Sequence, residues 1–368
     1  IMDSASRYLS LEKPNKADHL WRYTPWKKVH PTGDVSEIPL LGQPEISLGV
    51  IDGSDLPPGI ELKLGATGEP DFSGSSAFTN SFLHASAESS QWTLVVDKGF
   101  SSEKPIILEV DSGDSPSIAH ISLDIGATSE FELITRVTGS SEWFGLLRTG
   151  QIQDGAVVND VVIGLLERGT MLRSDRIDIC RDAQVRAGTV SSGSERTKSD
   201  LRYIMGESGG NIRVLGSILS ADSMHLDHHI EIHHEAPETY SRLSWHSACG
   251  GKSRTIGTGM LTIREGSRGA DAAQIFHNLL LSKSAEADSI PELEVMENDV
   301  VGCGHGTANG PIDEEQMFYL KTRGFDEDEA KRSLIAAFLN STLSEMGGVA
   351  LHEWLVGELT LQLEALNA

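Results

Sequence analysis

A cysteine and a histidine separated by one residue, Cys303 and His305, have the types and spacing of a metal half-site. They lie in the strand-like run 299–306, where side chains two residues apart point to the same face and flanking glycines let another backbone approach. A thiolate and an imidazole suit zinc, copper or the iron of a cluster. A stable site needs about four ligands, so the others must come from elsewhere in the chain or from a partner. From the residues alone, an inert pair and such a half-site are equally open.

A second group of chemically capable side chains fills residues 225–234, which read HLDHHIEIHH. Strand alternation predicts one face with His225, Asp227, His229, Glu231 and His233, and the other with His228, Ile230, Ile232 and His234. A stripe of His, Asp and Glu can bind a metal, but the pattern favours a polar outer strand face or histidines stacked between coils. We expect His228 and His234 to be buried.

The elements that must position these residues are short strands. From about Gln91 to Leu281, β-branched runs alternate with turn residues, without helical stretches. Turn pairs recur at roughly 27–29 residues, at Gly126-Ala127, Gly155-Ala156, Asp182-Ala183 and Gly209-Gly210. Such arrays are typical of a solenoid, a sandwich or a propeller, and the spacing favours a parallel β-helix with one coil per repeat over a double sandwich.

The N-terminal part combines an aromatic cluster with turn-rich sequence. Trp21, Tyr23 and Trp26 are expected to anchor this segment onto the body rather than to bind a ligand. Residues 31–90 are predicted to form strands joined by turns, with a firm turn at Pro57-Pro58-Gly59. Within the body, residues 191–199 are predicted to be a solvated loop, and Cys249 a buried small apolar side chain.

The C-terminal part has a helical pattern. Asp313 is expected to cap a first helix that ends at Gly324, and Asp326 with Glu329 forms a capping box for a second. A third helix starts at about Val349. The predicted apolar positions are Met317, Phe318 and Leu320 in the first helix, Ala330, Leu334, Ala337 and Phe338 in the second, and Leu351, Leu355, Leu359 and Leu366 in the third.

Two roles for these helices are open. They can cap the end of a solenoid, which would otherwise expose its core, or dock a partner protein through an apolar face. Both can hold. The candidate partner-binding residues are Phe318, Tyr319, Leu334 and Phe338.

Composition excludes several classes of partner and place. The net charge of −24 argues against nucleic acid and anionic membranes as partners. Three cysteines are too few for a disulfide framework and suit a reducing compartment. No apolar run approaches the roughly 20 residues of a membrane span. We therefore expect a cytoplasmic, soluble protein.

Several short segments resemble the SufB/SufD (SufBD) family of the Suf iron–sulfur cluster assembly machinery, and those within residues 278–324 do so in order and at matching intervals. The segments are Trp21-Arg22-Tyr23-Thr24 near the start, then Asn278-Leu279-Leu280-Leu281-Ser282, Pro291-Glu292-Leu293-Glu294-Val295, Asn298-Asp299-Val300, Cys303-x-His305-Gly306, Phe318-Tyr319-Leu320 and Arg323-Gly324. The likeness is strong over residues 200–345 and looser elsewhere.

This resemblance implies a mainly β fold, a right-handed parallel β-helix flanked by helical termini. We accordingly divide the chain into an N-terminal segment with a short helix (1–45), a β-helix core (46–308) and a C-terminal helical domain (309–368). The family also implies a complex with SufC, an ABC-type ATPase that docks on the C-terminal helices. It further implies pairing with a SufB paralogue or with a second copy through the β-helices.

The resemblance is closer to SufD than to SufB. SufB-like proteins resemble Glu-His-Glu where this chain has Gly304-His305-Gly306, and they carry a cysteine where it has Phe276-His277-Asn278. His305 matches the SufD histidine implicated at the subunit interface. The implied cofactor is a transient iron or iron–sulfur cluster held by the complex, with none bound tightly by this chain alone. No residue here locates the flavin associated with the family's complex.

The implied role is a non-catalytic SufD-like scaffold subunit. ATP chemistry would belong to the partner, since the chain has no G-x-x-x-x-G-K-[ST] motif. One alternative is a β-helix enzyme acting on acidic polysaccharides. The other is a purely structural homodimeric platform for the ATPase, without contact to metal.

Overall fold

The body of the protein consists of two nine-stranded sheets. The computed structural model describes residues 3–67 and 73–365. Sheet A contains β2 (Ile60–Leu64), β3 (Gln91–Val96), β5 (Ser117–Ile125), β7 (Trp143–Ile152), β9 (Thr170–Ile179), β11 (Arg196–Met205), β13 (His225–His234), β15 (Arg254–Ile263) and β17 (Glu286–Val295). Sheet B contains β1 (Glu45–Val50), β4 (Ile106–Asp111), β6 (Glu130–Thr138), β8 (Val157–Gly164), β10 (Gln184–Ser191), β12 (Asn211–Ser220), β14 (Tyr240–Cys249), β16 (Ala270–Leu280) and β18 (Val300–Pro311).

From β3 onward, successive strands alternate between the sheets, so each coil contributes one strand to each. From β3 and β4 onward every pairing is parallel, as in β9–β11 and β10–β12. At the N-terminal end of the solenoid, β1 pairs with β4 and β2 pairs with β3, both in antiparallel fashion. The chain is therefore a mainly β solenoid of parallel strands, as the sequence spacing predicts.

The predicted repeat corresponds to one corner of this solenoid, where equivalent turns stack on one another. Backbone amides bond to the carbonyl of the next coil in each case: Thr128 to Asp154 (2.9 Å), Gly155 to Arg181 (2.8 Å), Asp182 to Ser208 (3.1 Å) and Gly209 to Pro237 (3.2 Å). These four donors have positive φ, between 55° and 77°, a conformation that Gly and Asp tolerate best. We call this stack the turn ladder.

The core fills the space between the two sheets, which we call the lumen. Its side chains come from alternate positions of both sheets, from Trp92 and Leu94 at one end to Phe276 at the other. Trp245 illustrates the close packing, because a Cβ built on Gly216 would approach its ring to 2.2 Å. Glycine at this position makes room for the indole.

The N-terminal segment covers the outer face of sheet A. It contains α1 (Ser4–Ser10), a short 3-10 helix (His19–Trp21) and α2 (Trp26–Val29). Trp21 and Trp26 are buried, and Trp26 packs edge-on against Phe82 with ring centroids 5.1 Å apart. The prediction that these aromatic residues anchor the segment is confirmed.

Part of the prediction for residues 31–90 is wrong. The strands β1 and β2 and the turn at Pro58 and Gly59 are present, but residues 77–86 form a helix, α3 (Ala77–Ser86). Polar residues such as Thr79 and Asn80 are buried together with Phe78 and Phe82, because the helix is enclosed on most sides. Thr79, Asn80 and Ser81 have low helix propensity and are common in turns, so the local composition indicated a loop.

Three helices follow the last strand, with the caps that the sequence predicts. They are α4 (Glu314–Thr322), α5 (Glu327–Leu343) and α6 (Val349–Ala365). The Asp313 carboxylate accepts a hydrogen bond from the Gln316 amide, and Asp326 with Glu329 forms the capping box. Within the described residues, no helix is long and apolar enough to cross a membrane.

The helices do not cap the end of the solenoid, contrary to one expectation from the sequence. Instead α5 and α6 lie along the outer face of sheet B. The buried residues that form this contact are Ile107, Ile134, Val161, Ile163, Val190, Leu215, Leu219 and Ala248 from the sheet, and Ile335, Leu339, Leu343, Met346, Leu351, Leu355, Leu359 and Leu363 from the helical part. Apolar side chains on both faces of sheet B make this lateral packing favourable.

The contact face of α5 is displaced by one residue from the prediction. Ala330 is buried as expected, but Ile335, Leu339 and Leu343 occupy the interior instead of the predicted row at 334, 337 and 338. Both rows are apolar over much of the helix, so periodicity alone does not choose between them. In α6 the predicted leucines at 351, 355 and 359 are buried, and Leu366 lies outside the described residues.

Candidate metal half-site and partner surfaces

One end of the solenoid is formed by two edge strands, each paired on one side only. β17 is the terminal strand of sheet A, and β18 is the terminal strand of sheet B. Apolar side chains near this edge are exposed, including Val295, Met296 and Val301, the last of which is 74% exposed. The outer edge of such a strand presents unpaired backbone N–H and C=O groups, and a further strand can pair with them.

Cys303 and His305 lie on this terminal strand. In the register with β16, Cys303 is opposite Ala272 and His305 is opposite Gln274. Ala272 is buried in the lumen cluster, and Cys303 packs against the same cluster. Since His305 is two residues further along the strand, it shares that face. The predicted pair therefore lies at the mouth of the lumen, with Cys303 half-buried and His305 exposed.

The pair has no third ligand in the described part of the chain. Among residues 3–67 and 73–365, neither Cys303 nor His305 belongs to a group of three His, Cys, Asp or Glu whose ligand atoms converge. Burial, with a smaller effect of Asp271, raises the pKa of the Cys303 thiol. A metal bound here would displace the thiol proton and would need further ligands from outside this set.

The neighbouring segment Phe276-His277-Asn278 is built into the structure. Phe276 is buried in the lumen. The Asn278 amide donates to Ser289 Oγ and to Asn309 Oδ1, both at 2.7 Å. His277 lies on the outer face of sheet B, with its Nδ1 3.2 Å from His246 Nε2. No thiol is present at these three positions, so the segment offers no acceptor for sulfur.

The histidine-rich strand β13 shows the predicted alternation, and its outer face is enclosed. His228 and His234 are buried on the lumen side, as expected. On the other face the Thr24 hydroxyl lies 2.8 Å from His225 Nε2, and Glu231 lies 3.2 Å from Arg202 Nε and 3.1 Å from His233 Nε2. This face is polar but not a solvent-exposed outer surface, because the N-terminal segment and α3 cover it.

These polar contacts give the strand an internal role. Burial opposes the charge of Glu231, but hydrogen bonds from His233 and Ser75, with His229 and Arg202 nearby, lower its pKa to about 2. The outer side chains of β13 therefore hold the covering segment in place. Among the described residues, the histidine and carboxylate side chains of β13 do not form a group of three whose ligand atoms converge on one point.

The predicted loop at residues 191–199 is wrong in its second half. β11 begins at Arg196, and Lys198 is fully buried beneath the N-terminal segment. Its Nζ lies 3.3 Å from carboxylate oxygens of both Asp200 and Asp227. The charged composition suggested exposure, but two carboxylates from neighbouring positions compensate the lysine, as burial of a charge requires.

A second buried charge cluster lies inside the lumen, and the sequence analysis did not identify it. Arg148 donates to Asp160 at 2.7 and 2.8 Å and to Asp175 at 2.8 Å. Arg173 also donates to Asp175, at 2.6 and 2.9 Å. A signal was available, because Arg148 continues the inward positions 144 and 146 of β7.

The candidate partner-binding residues divide into two pairs. Phe318 and Tyr319 are 70% and 56% exposed on α4, which has no buried residue among those described. Leu334 is half-buried on α5. Phe338 is also half-buried, and its ring stacks on His246 with centroids 4.8 Å apart. An exposed aromatic pair on a peripheral helix is typical of a protein contact surface.

Comparison with known proteins agrees with this architecture. Residues 108–338 match the family model described as the SUF system FeS cluster assembly, SufBD core domain. An iron–sulfur cluster assembly SufBD family protein of Mycobacterium tuberculosis is 26% identical over 368 residues, covering 96% of this chain and 90% of that protein. A SufBD family protein of Mycobacterium leprae is 24% identical, covering 96% and 91%.

A shorter match relates the chain to a SufD protein. The iron–sulfur cluster assembly protein SufD of Escherichia coli is 38% identical over 87 residues, which is 24% of this chain and 20% of that protein. The family model covers well over half of the chain and most of the parallel solenoid. This protein therefore belongs to the SufBD family of the SUF iron–sulfur cluster assembly system.

Proposed function

We propose that this chain is a SufD-like, non-catalytic subunit of a Suf scaffold complex, and that His305, with Cys303, contributes to iron or cluster handling at a subunit interface. The observation that carries the proposal is the position of the pair at the lumen mouth, on a terminal strand, without a third ligand among the described residues. The match to SufD and the absence of a thiol at residues 276–278 support the SufD-like assignment.

The partner at this end is a SufB paralogue or a second copy of the chain. Edge strands β17 and β18 can extend into the sheets of another solenoid, which would pair their free backbone groups. Such pairing would bring the partner's side chains to the lumen mouth and could complete the ligand set. Iron or a cluster is then transient cargo of the complex, and Cys303 and His305 alone bind none tightly.

The second partner is a SufC-type ABC ATPase that docks on the C-terminal helices. Exposed Phe318 and Tyr319 would form its main contact, with Leu334 and Phe338 at the border toward the solenoid. Because α5 packs on sheet B and α4 contacts α5, movement of the ATPase would reach the body through these helices. A cytoplasmic location fits the three free cysteines.

Replacing the histidine is the direct test of the metal role. We expect His305→Ala to weaken iron binding by the anaerobically isolated complex at least about tenfold. Loss of a residue that only hydrogen-bonds to a metal ligand already has an effect of that size, and loss of a ligand should have a larger one. Its thermal stability should not change, because the exposed side chain makes no hydrogen bond within the described residues. Thr307→Ala, two residues along the same exposed strand face, is the matched control and should retain iron. Equal iron content in both variants would contradict the metal role and favour a purely structural platform for the ATPase, without contact to metal.

Replacing the aromatic pair tests the ATPase contact. We expect Phe318→Ser with Tyr319→Ser to weaken binding of the SufC-type ATPase by about 30-fold, since buried aromatic contacts of this kind are worth about 2 kcal/mol or more. Val349→Ser is a control, because Val349 is equally apolar and 75% exposed at the start of α6. Native mass spectrometry of the mixture, with and without a SufB paralogue, measures both binding and stoichiometry. Absence of any complex in every nucleotide state would refute the scaffold role.

A further inference from the structure

Three side chains from consecutive coils converge beside the turn ladder. Asp154 follows β7, Cys180 follows β9 and Glu207 follows β11. One ligand atom of each, the thiol sulfur and a carboxylate oxygen from each acid, lies within 4.8 Å of the other two. Coils stack about 4.8 Å apart. If the side chains projected straight out from their coils, the carboxylates of Asp154 and Glu207, two coils apart, would therefore be about 9.6 Å from each other. The two carboxylates therefore lean toward the thiol between them.

The contacts within the protein do not account for this convergence. The side chains of Asp154 and Cys180 make no hydrogen bond or ion pair within residues 3–67 and 73–365. Glu207 faces the cation Arg181, whose Nη2 is 3.6 Å away and whose side chain is 62% exposed. Asp178 adds a further negative charge nearby and is paired with Arg176 at 3.4 Å. Two like charges thus approach one another, and Arg181, the counter-charge that faces them among the described residues, is solvent-exposed.

We propose that Asp154, Cys180 and Glu207 form a binding site for one divalent transition-metal ion of the zinc or ferrous type. One sulfur and two carboxylate oxygens suit such borderline ions better than magnesium or calcium, which prefer oxygen alone. Three protein ligands leave a coordination position for water or another molecule, as in open zinc sites. The bound ion would neutralise the converging charges.

The surrounding backbone makes this site rigid. The turns that carry the three residues are joined by hydrogen bonds from Gly155 to Arg181 and from Asp182 to Ser208, and the Cys180 amide donates to Ile152 at 3.0 Å. A preformed arrangement lowers the ordering cost of binding. The site lies four strand steps from β18, about 19 Å along the solenoid axis. It is therefore separate from the half-site at Cys303 and His305 and does not depend on the proposed function.

Cobalt(II) is a suitable probe, because its bond to a thiolate produces a charge-transfer absorption band. The full chain, reduced and free of oxygen, is titrated with Co²⁺ alone. We expect one equivalent to bind with this band. Cys180→Ser should abolish the band, and Asp154→Asn should keep it but weaken Co²⁺ binding by at least about tenfold.

Two controls separate this site from others. Asp182→Asn removes a carboxylate of the same turn ladder outside the group and can keep the positive φ of that residue, so Co²⁺ binding should not change. Cys303→Ser should retain the band. Unchanged melting temperatures will show that all variants are folded. A band that is lost in Cys303→Ser and retained in Cys180→Ser would overturn the proposal, as would the absence of any thiolate band in the wild-type chain.

Discussion

Arg148→Met should reduce the free energy of unfolding by about 3–5 kcal/mol, the usual cost of removing one partner from a buried ion pair. Arg148 is 1% exposed and donates to both Asp160 and Asp175 in the lumen. Burial alone would raise the pKa of the Asp175 carboxyl, but Arg173 and Arg148 outweigh it and hold that pKa below its usual value. Without Arg148, Asp175 keeps its pair with Arg173, but the buried Asp160 has no other ion-pair partner among the described residues. Urea denaturation at pH 7 measures the loss.

Two further variants identify the cause of that loss. Arg186→Met removes an exposed arginine from β10 and should change stability by no more than about 0.5 kcal/mol. Arg148→Met combined with Asp160→Asn should recover part of the loss, since only the Arg173–Asp175 pair then stays charged. A loss below about 1 kcal/mol in the single variant, or no recovery in the double, would mean that the charges are not tightly coupled.

Acid should destabilise the protein steeply below pH 6.5, because several buried histidines stay neutral in the folded state. Burial lowers the pKa of His120 and His228 to about 3, and that of His234 to about 4. Below pH 6.5 these histidines are protonated in the unfolded chain but stay neutral in the folded protein. Their contribution is complete above pH 6.5 and is lost as pH falls toward 3–4, at about 1.4 kcal/mol per pH unit for each histidine.

His228 is the best position to test this effect. Its ring packs against Trp245 with centroids 5.2 Å apart, and neither nitrogen has a hydrogen-bond partner in the described part of the chain. Between pH 6 and 4.5, His228→Leu should therefore reduce the slope of the free energy of unfolding against pH by about 1.4 kcal/mol per pH unit, which corresponds to one proton fewer taken up on unfolding. At pH 7 the variant should lose no stability. Urea denaturation over this range measures the slope, and the range from pH 7 to 8, where wild type and variant should run parallel, is the control. An unchanged acid slope would show that His228 accepts a proton in the folded state.

Both results concern the lumen, where the amino-acid pattern predicted the position of each side chain but not its partners. Strand alternation placed His228 and His234 inside correctly. The same alternation puts Arg148 inside, yet a charged residue in a strand is usually a sign of exposure. Only pairing with Asp160 and Asp175, from other strands, makes its burial favourable.

Local chemistry was sufficient for features that depend on neighbouring residues. The turn positions at 155, 182 and 209 have positive φ, Gly126 lies two residues before Thr128, which also has it, and the repeat of these positions predicted the coils. The caps at Asp313 and Asp326 were also readable, because a cap is made within one turn of helix. Cys303 and His305 share a face because strand geometry alternates side chains.

Tertiary structure decided everything that depends on contacts between distant segments. It placed α5 and α6 along sheet B rather than over the open end, which left the outer edges of β17 and β18 free beside Cys303 and His305. It buried Lys198 beneath the N-terminal segment. It also brought Asp154, Cys180 and Glu207 together, since coil stacking converts a separation of one repeat in sequence into a few ångströms in space.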